Sequence, residues 1–161
     1  MAGLPGAVER VHATAIAVGR RGVLIRGPSG SGKSDLALRA LALGPSALLQ
    51  EPVKLVADDQ VILTSEPGAL IAAAPSVLRG RLEVRGVGIL EVAAAAQSEI
   101  VLVADLVREG PIERLPDPWP VVHILGYDVP VIHLLPFEDS APSKLVAALL
   151  LAALPRIKSK A

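Results

Sequence analysis

An α/β domain organised around a phosphate-binding loop is what this sequence predicts, and three observations carry that reading. Aliphatic, strand-like runs alternate with loops rich in Gly and Pro. Two longer stretches place apolar residues at helical spacing. Between a strand-like run and the first helical stretch stands a complete G-x-x-x-x-G-K-S motif at 27–34. The 161 residues suit one domain and are enough to bury a sizeable core.

Taken in order, residues 11–18 and 22–26 read as two strands joined at Gly19-Arg20-Arg21-Gly22. Residues 34–43 read as a helix, with Leu36, Ala37, Ala40 and Leu41 on one face and Gly44-Pro45 as its stop. Residues 53–57 form a short apolar run ending in Asp58-Asp59, continued by 61–64. Further extended pieces lie at 69–73 and 82–92, the second interrupted by Gly86 and Gly88. The run 100–107 is the most continuous β-type segment, as expected of a strand buried on both faces, and 129–135 is another. Residues 142–154 read as a closing helix, with Ser140 or Ser143 as N-cap and Pro155 after its end. The four prolines of 111–120 mark a loop too short to separate two domains.

Composition removes several classes of function. Lys plus Arg and Asp plus Glu both total 16, so the net charge is zero and the basic excess of a nucleic-acid binder is missing. With no cysteine, disulfides, zinc–thiolate sites, iron–sulfur clusters and thiol catalysis are excluded. Hydrophobic residues make up 52% but aromatics only 2%, so the core must close through aliphatic contacts. Mean hydropathy is positive, at +0.53. Even so, the longest apolar run, 145–154, has ten residues, about half the ~20 that span a bilayer. No basic segment followed by an apolar one opens the chain. The expectation is a soluble, cytoplasmic protein with neither a nucleic acid nor a membrane as partner.

The motif Gly27-Pro28-Ser29-Gly30-Ser31-Gly32-Lys33-Ser34 has a specific physical use. Glycines let the backbone turn its N–H groups inward and form an anion nest at a helix N-terminus. Lys33 can reach the β- and γ-phosphates, and the Ser34 hydroxyl can ligate Mg²⁺. The bland alternative is a Gly-rich turn with an exposed lysine. No N-K-x-D guanine-reading motif accompanies the loop, nor an L-S-G-G-Q-type stretch.

The remaining chemistry is less decided by local pattern. Asp58-Asp59 and Asp105 each end an apolar run, and either could be a metal-binding acid. Neighbouring strand residues face opposite ways, so Asp58 and Asp59 should differ in role unless the strand has ended. Such acids also commonly cap turns. Glu83 and Arg85 lie in a stretch mixing charge, glycine and apolar residues that reads equally as an exposed edge strand. Arg114 stands in a polar loop, and His12, His123 and His133 have no metal-ligand spacing.

In order, these segments resemble the catalytic domain of HPr kinase/phosphorylase, a bacterial serine kinase. His12 lies fifteen residues before Gly27, as the family's histidine does before its loop. Gly27 to Ser34 continues into Asp35-Leu36, and Leu55-Val56-Ala57-Asp58-Asp59 looks like the family's apolar-A-D-D element. Leu82-Glu83-Val84-Arg85-Gly86-Val87-Gly88-Ile89 is close to L-E-I-R-G-L-G-I, the family's most specific motif, and Arg114-Leu115 is similar to a later Arg-Leu pair. The likeness implies a central mixed β-sheet of the HPr kinase/PEP carboxykinase kind over 1–161, without the N-terminal domain of longer members, as in short alphaproteobacterial forms.

The resemblance also implies roles. Asp59 would take the proton of the acceptor serine, with His12 beside it. Lys33 and the amides of 27–34 would hold ATP phosphates, Ser34 and Glu83 would serve Mg²⁺, and Arg114 would stabilise transferred charge, with Asp58 and Arg85 in support. The implied partner is an HPr-type phosphocarrier protein of the sugar phosphotransferase system or its nitrogen-related counterpart. A homo-oligomer, a hexamer in full-length members, is implied as well. Val129-Pro130-Val131-Ile132-His133-Leu134-Leu135 departs from the family's V-P-V-R-P-G-R, lacking both arginines linked to dephosphorylation. A kinase with weak reverse activity is therefore expected. The alternatives on the same loop are a kinase of a small molecule and a nucleotide- or phosphate-sensing module without turnover.

Overall fold

The structure, a computed structural model, describes residues 5–153. Eleven strands and two α-helices run in the order β1 (Val8–His12), β2 (Thr14–Val18), β3 (Arg21–Arg26), α1 (Lys33–Leu41), β4 (Val53–Ala57), β5 (Gln60–Glu66) and β6 (Ala69–Ala73). After a 3₁₀ turn at Ser76–Leu78 come β7 (Arg81–Val84), β8 (Gly88–Glu91), β9 (Ser98–Leu106), β10 (Val121–Ile124), β11 (Tyr127–Leu134) and α2 (Ala141–Ala153). The fold is the mixed α/β arrangement the sequence predicts.

Nine strands join one mixed sheet in the order β1-β5-β6-β9-β3-β2-β4, with β11 on the second half of β9 and β10 hairpinned onto β11. Strand β9 is its centre: Glu99 lies opposite Arg21 and Ile71, and Val103 opposite Leu24 and Val131. The β3–β9 and β9–β11 pairings are parallel and the others antiparallel. Partners on both sides suit the continuous β-type run read from the sequence. Strands β7 and β8 form a separate hairpin, which Gly86 and Gly88, both at positive φ, help to turn.

Two apolar layers flank the sheet. On one face Leu36, Ala37 and Ala40 of α1 and Leu145 and Leu149 of α2 pack on Ile16, Val23, Ile25, Leu102 and Ala104. On the other face Leu24, Val56 and Val103 meet Leu63, Leu70 and Val131, where the sheet's outer strands fold back over its middle. Period-2 alternation decides which side chain goes where, and an extra residue, Val101, resets it. Ile100 therefore faces one layer and Leu102 the other. The fully buried large side chains are all Ile, Leu or Val, as the scarcity of aromatics demanded.

Two local expectations are corrected. Residues 11–18 are two strands, because the chain breaks at Ala13: β1 pairs with β5, while β2 pairs with β3 and β4. Ser143 is inside α2, so it is no N-cap. Ser140 precedes the helix and its carbonyl accepts the Lys144 N–H at 2.8 Å. Pro155 lies outside the described residues. Strand β10, hidden behind the proline-rich loop, was not expected at all.

Candidate active site

Strand β3 delivers the chain into residues 27–34, and α1 carries it away. Gly30 and Gly32 take φ of +78° and +98°, values that cost other residues conformational energy. No side chain caps α1, so its first N–H groups are left for an anion. Lys33 is buried, and its Nζ donates to the carbonyls of Gly27 at 2.7 Å and Pro28 at 2.9 Å, leaving one donor uncommitted. Burial pushes the Lys33 ammonium below its ordinary pKa, with Asp59 and Asp58 pulling it back up.

Strand β4 ends at Ala57, and the two acids after it part company. Asp58 is buried, 7% exposed. Its Oδ1 accepts the Ser34 hydroxyl at 2.7 Å and the Thr14 hydroxyl at 2.9 Å, while Oδ2 faces the Glu83 N–H at 3.4 Å. Asp59 takes φ +68°, which turns its side chain out to 62% exposure, with Oδ1 3.1 Å from His12 Nδ1. The dipeptide thus escapes the alternation of a strand because the strand is over. Asp105, the rival acid, is spent on a two-point ion pair with Arg26, at 2.7 and 2.9 Å, which raises the Arg26 pKa.

A cavity of about 350 Å³ joins these groups. His12, Ser29, Gly30, Gly32, Lys33, Ser34, Asp59, Glu83 and Arg85 all line it, so most of the expected site residues meet in one place. Glu83 is held there because Leu82, its neighbour on β7, is fully buried in the layer beneath α1. Arg114 is not brought in: it lines a separate cavity of about 850 Å³ with Trp119 and His133. Thr14, Leu38 and Phe137 also line the phosphate-loop cavity and were missed by sequence reading. Thr14 hides in a β-type run, and nothing local sets Phe137 apart from a loop residue.

The donor set suits Mg²⁺. Ser34 and Glu83 bring hard oxygen donors to the same cavity, and Asp58 accepts the Ser34 hydroxyl at 2.7 Å beside it. Among the described residues no cluster of three His, Cys, Asp or Glu could hold a metal unaided. Phosphate oxygens and waters would have to complete the shell, as is usual for this ion.

Residues 6–158 match the family described as the HPr serine kinase C-terminal domain. The chain belongs to that family. It is 34% identical over 109 residues to the HPr kinase/phosphorylase of Lactobacillus acidophilus, a match spanning 63% of this chain and 31% of the relative. It is 30% identical over 154 residues to that of Chlorobaculum tepidum, covering 88% and 42%. The solved structure of the HPr(Ser) kinase/phosphatase from Coxiella burnetii superposes with a TM-score of 0.74 at 29% identity, covering 89% of this chain and 95% of that one. The matches span about a third to two-fifths of these two curated relatives. No helix among the described residues is long and apolar enough to cross a membrane.

Proposed function

We propose that this chain is an ATP-dependent protein kinase that phosphorylates an HPr-type phosphocarrier on a serine, and so regulates sugar uptake through the phosphotransferase system. The observation that carries this reading is that Asp59 and the phosphate loop face one cavity, with the Asp59 carboxylate exposed to an incoming protein. His12 occupies Oδ1 of Asp59, which leaves Oδ2 to accept a hydrogen bond from the serine hydroxyl.

Asp59 takes the hydroxyl proton as the serine oxygen bonds to the γ-phosphorus. The bond from that phosphorus to the β–γ bridging oxygen breaks, and ADP leaves. Loop amides and Lys33 hold the phosphates and meet the charge that grows on them. Ser34, Asp58 and Glu83 would hold Mg²⁺, which when bound neutralises phosphate charge. Asp58 also fixes the Ser34 hydroxyl and, through Thr14, ties it to β2. Residues 129–135 carry no arginine, so the reverse, phosphate-consuming reaction should be slow.

Transfer from γ-labelled ATP to purified HPr with Mg²⁺ tests the reading. Label should appear on HPr, vanish when its target serine is changed to alanine, and vanish with Asp59→Asn although ATP still binds. Full transfer by Asp59→Asn would remove the base assignment, and no transfer by the wild type would remove the kinase.

A further inference from the structure

We propose that Phe137 is the platform on which the base of a bound nucleotide stacks. The inference rests on the nucleotide reading above and adds a residue to it. Phe137 is the sole phenylalanine of a chain with one Trp and one Tyr, yet it stands 70% exposed. An exposed aromatic in so aliphatic a sequence calls for a reason, because burying such a ring is ordinarily favourable. Its place supplies one: it forms an apolar wall of the cavity whose floor is the phosphate loop.

The ring is seated against that loop with little slack. A Cβ added to Gly32 would lie 3.0 Å from Phe137 Cζ and 3.1 Å from Cε1, so ring and backbone touch only because residue 32 is glycine. The segment bearing the ring is braced from α1. Arg39 donates to the Pro136 carbonyl and, at 3.2 Å, to the Glu138 carbonyl, one on each side of Phe137, while its Nε bonds Asp35 at 3.0 Å. Lys144 holds the Glu138 carboxylate at 2.6 Å. An aromatic face fixed in place before the ligand arrives loses little freedom on binding.

The surroundings choose the ligand. Phe137 is followed by Glu138, Asp139 and Ser140, and it shares its cavity with the polar and charged groups of the phosphate loop, Asp59, Glu83 and Arg85. A single π-face beside an anion nest matches a molecule with a flat base at one end and phosphates at the other. Every base has such a face, and stacking on an aromatic side chain is tolerant of which one it is.

The test compares ATP with inorganic tripolyphosphate, which has the charge but no base, by calorimetry on the full chain. Phe137→Ala should weaken ATP binding by about tenfold or more, the scale of one lost base stack. Tripolyphosphate affinity should stay within about twofold, because the anion nest is untouched, and Phe137→Trp should keep ATP affinity within about threefold. The exposed ring contributes little to the core, so the alanine variant should fold. ATP affinity unchanged in Phe137→Ala would overturn the platform and leave the nucleotide reading standing. Equal weakening of ATP and tripolyphosphate would overturn it too, showing that the ring only shapes the loop. Wild-type protein that binds neither ligand would bring down both readings.

Discussion

Asp58 accepts the hydroxyl of Ser34 at 2.7 Å, and the same carboxylate oxygen accepts that of Thr14 at 2.9 Å. One buried acid thereby ties the end of β4 to the first turn of α1 and to β2. Its neighbour Asp59 does the opposite, leaving the strand at φ +68° to present an exposed carboxylate beside His12. Two identical residues in sequence are divided between a buried, hydrogen-bonded acid and an exposed carboxylate.

That division should separate stability from activity. Asp58→Ala leaves the Thr14 hydroxyl, itself fully buried, without its acceptor. The expected loss is about 1–3 kcal/mol in urea denaturation, the cost of an unsatisfied buried polar group. Asp59→Gly should lose no stability, and could gain up to about 1 kcal/mol, since glycine accepts the left-handed backbone freely. Transfer to HPr should nonetheless be absent in Asp59→Gly. Equal destabilisation by the two changes would contradict the assignment.

Leu82 anchors the hairpin that brings Glu83 and Arg85 to the cavity, and it is fully buried against the α1 layer. Leu82→Ala should therefore cost about 2–5 kcal/mol, the range for a large core side chain cut to alanine. Leu90, 40% exposed on the partner strand, should tolerate the same change within about 1 kcal/mol. Thermal unfolding of the two variants side by side checks the contrast.

Much of this was legible in the sequence, and the limits have physical causes. The loop 27–34 announced itself because it is a complete G-x-x-x-x-G-K-S match, and it sits between β3 and α1 as that motif requires. Strands β4, β5, β6, β9 and β11 followed from apolar runs. The break at Ala13 did not, because both halves of 8–18 have strand-like composition and only their different partners, β5 and β3, tell them apart. The choice between Asp58 and Asp105 was equally closed to local pattern, since both end apolar runs. What separates the two in the fold is the β3–β9 register, which sets Arg26 opposite Asp105 and pairs them. Phe137 is brought to Gly32 by contacts across about a hundred residues of chain, a separation no spacing rule reaches.

Ser34 and Glu83 reach the cavity from different elements, one on α1 and one on β7. Ser34→Ala and Glu83→Gln should each reduce Mg²⁺ affinity, measured with ATP present, by about tenfold or more, as loss of a ligand or its support does. ATP binding without Mg²⁺ should change by no more than about twofold, because the loop amides and Lys33 remain. Mg²⁺ affinity unaltered in both variants would take the metal away from these oxygens.

Lys33 makes the last prediction, and its two parts run in opposite directions with pH. Burial lowers its pKa in the folded chain, against the opposing pull of Asp59 and Asp58, while unfolding restores the ordinary value of about 10.4. Below the lowered pKa both states are charged and the native state bears the full cost of desolvating the ammonium. As pH rises through the window, the native lysine is first to lose its proton. The unfolded chain then binds more protons than the native one, so stability rises with pH and the cost disappears near the ordinary value. Lys33→Met has no such group, so the stability of wild type relative to this variant should increase from neutral pH towards pH ~10. Phosphate binding needs the charged form, so tripolyphosphate affinity of the wild type should fall as pH rises, starting below the ordinary lysine range. A flat stability difference between wild type and Lys33→Met, or an affinity that holds until the ordinary lysine pKa, would show that the ammonium is not desolvated in the loop.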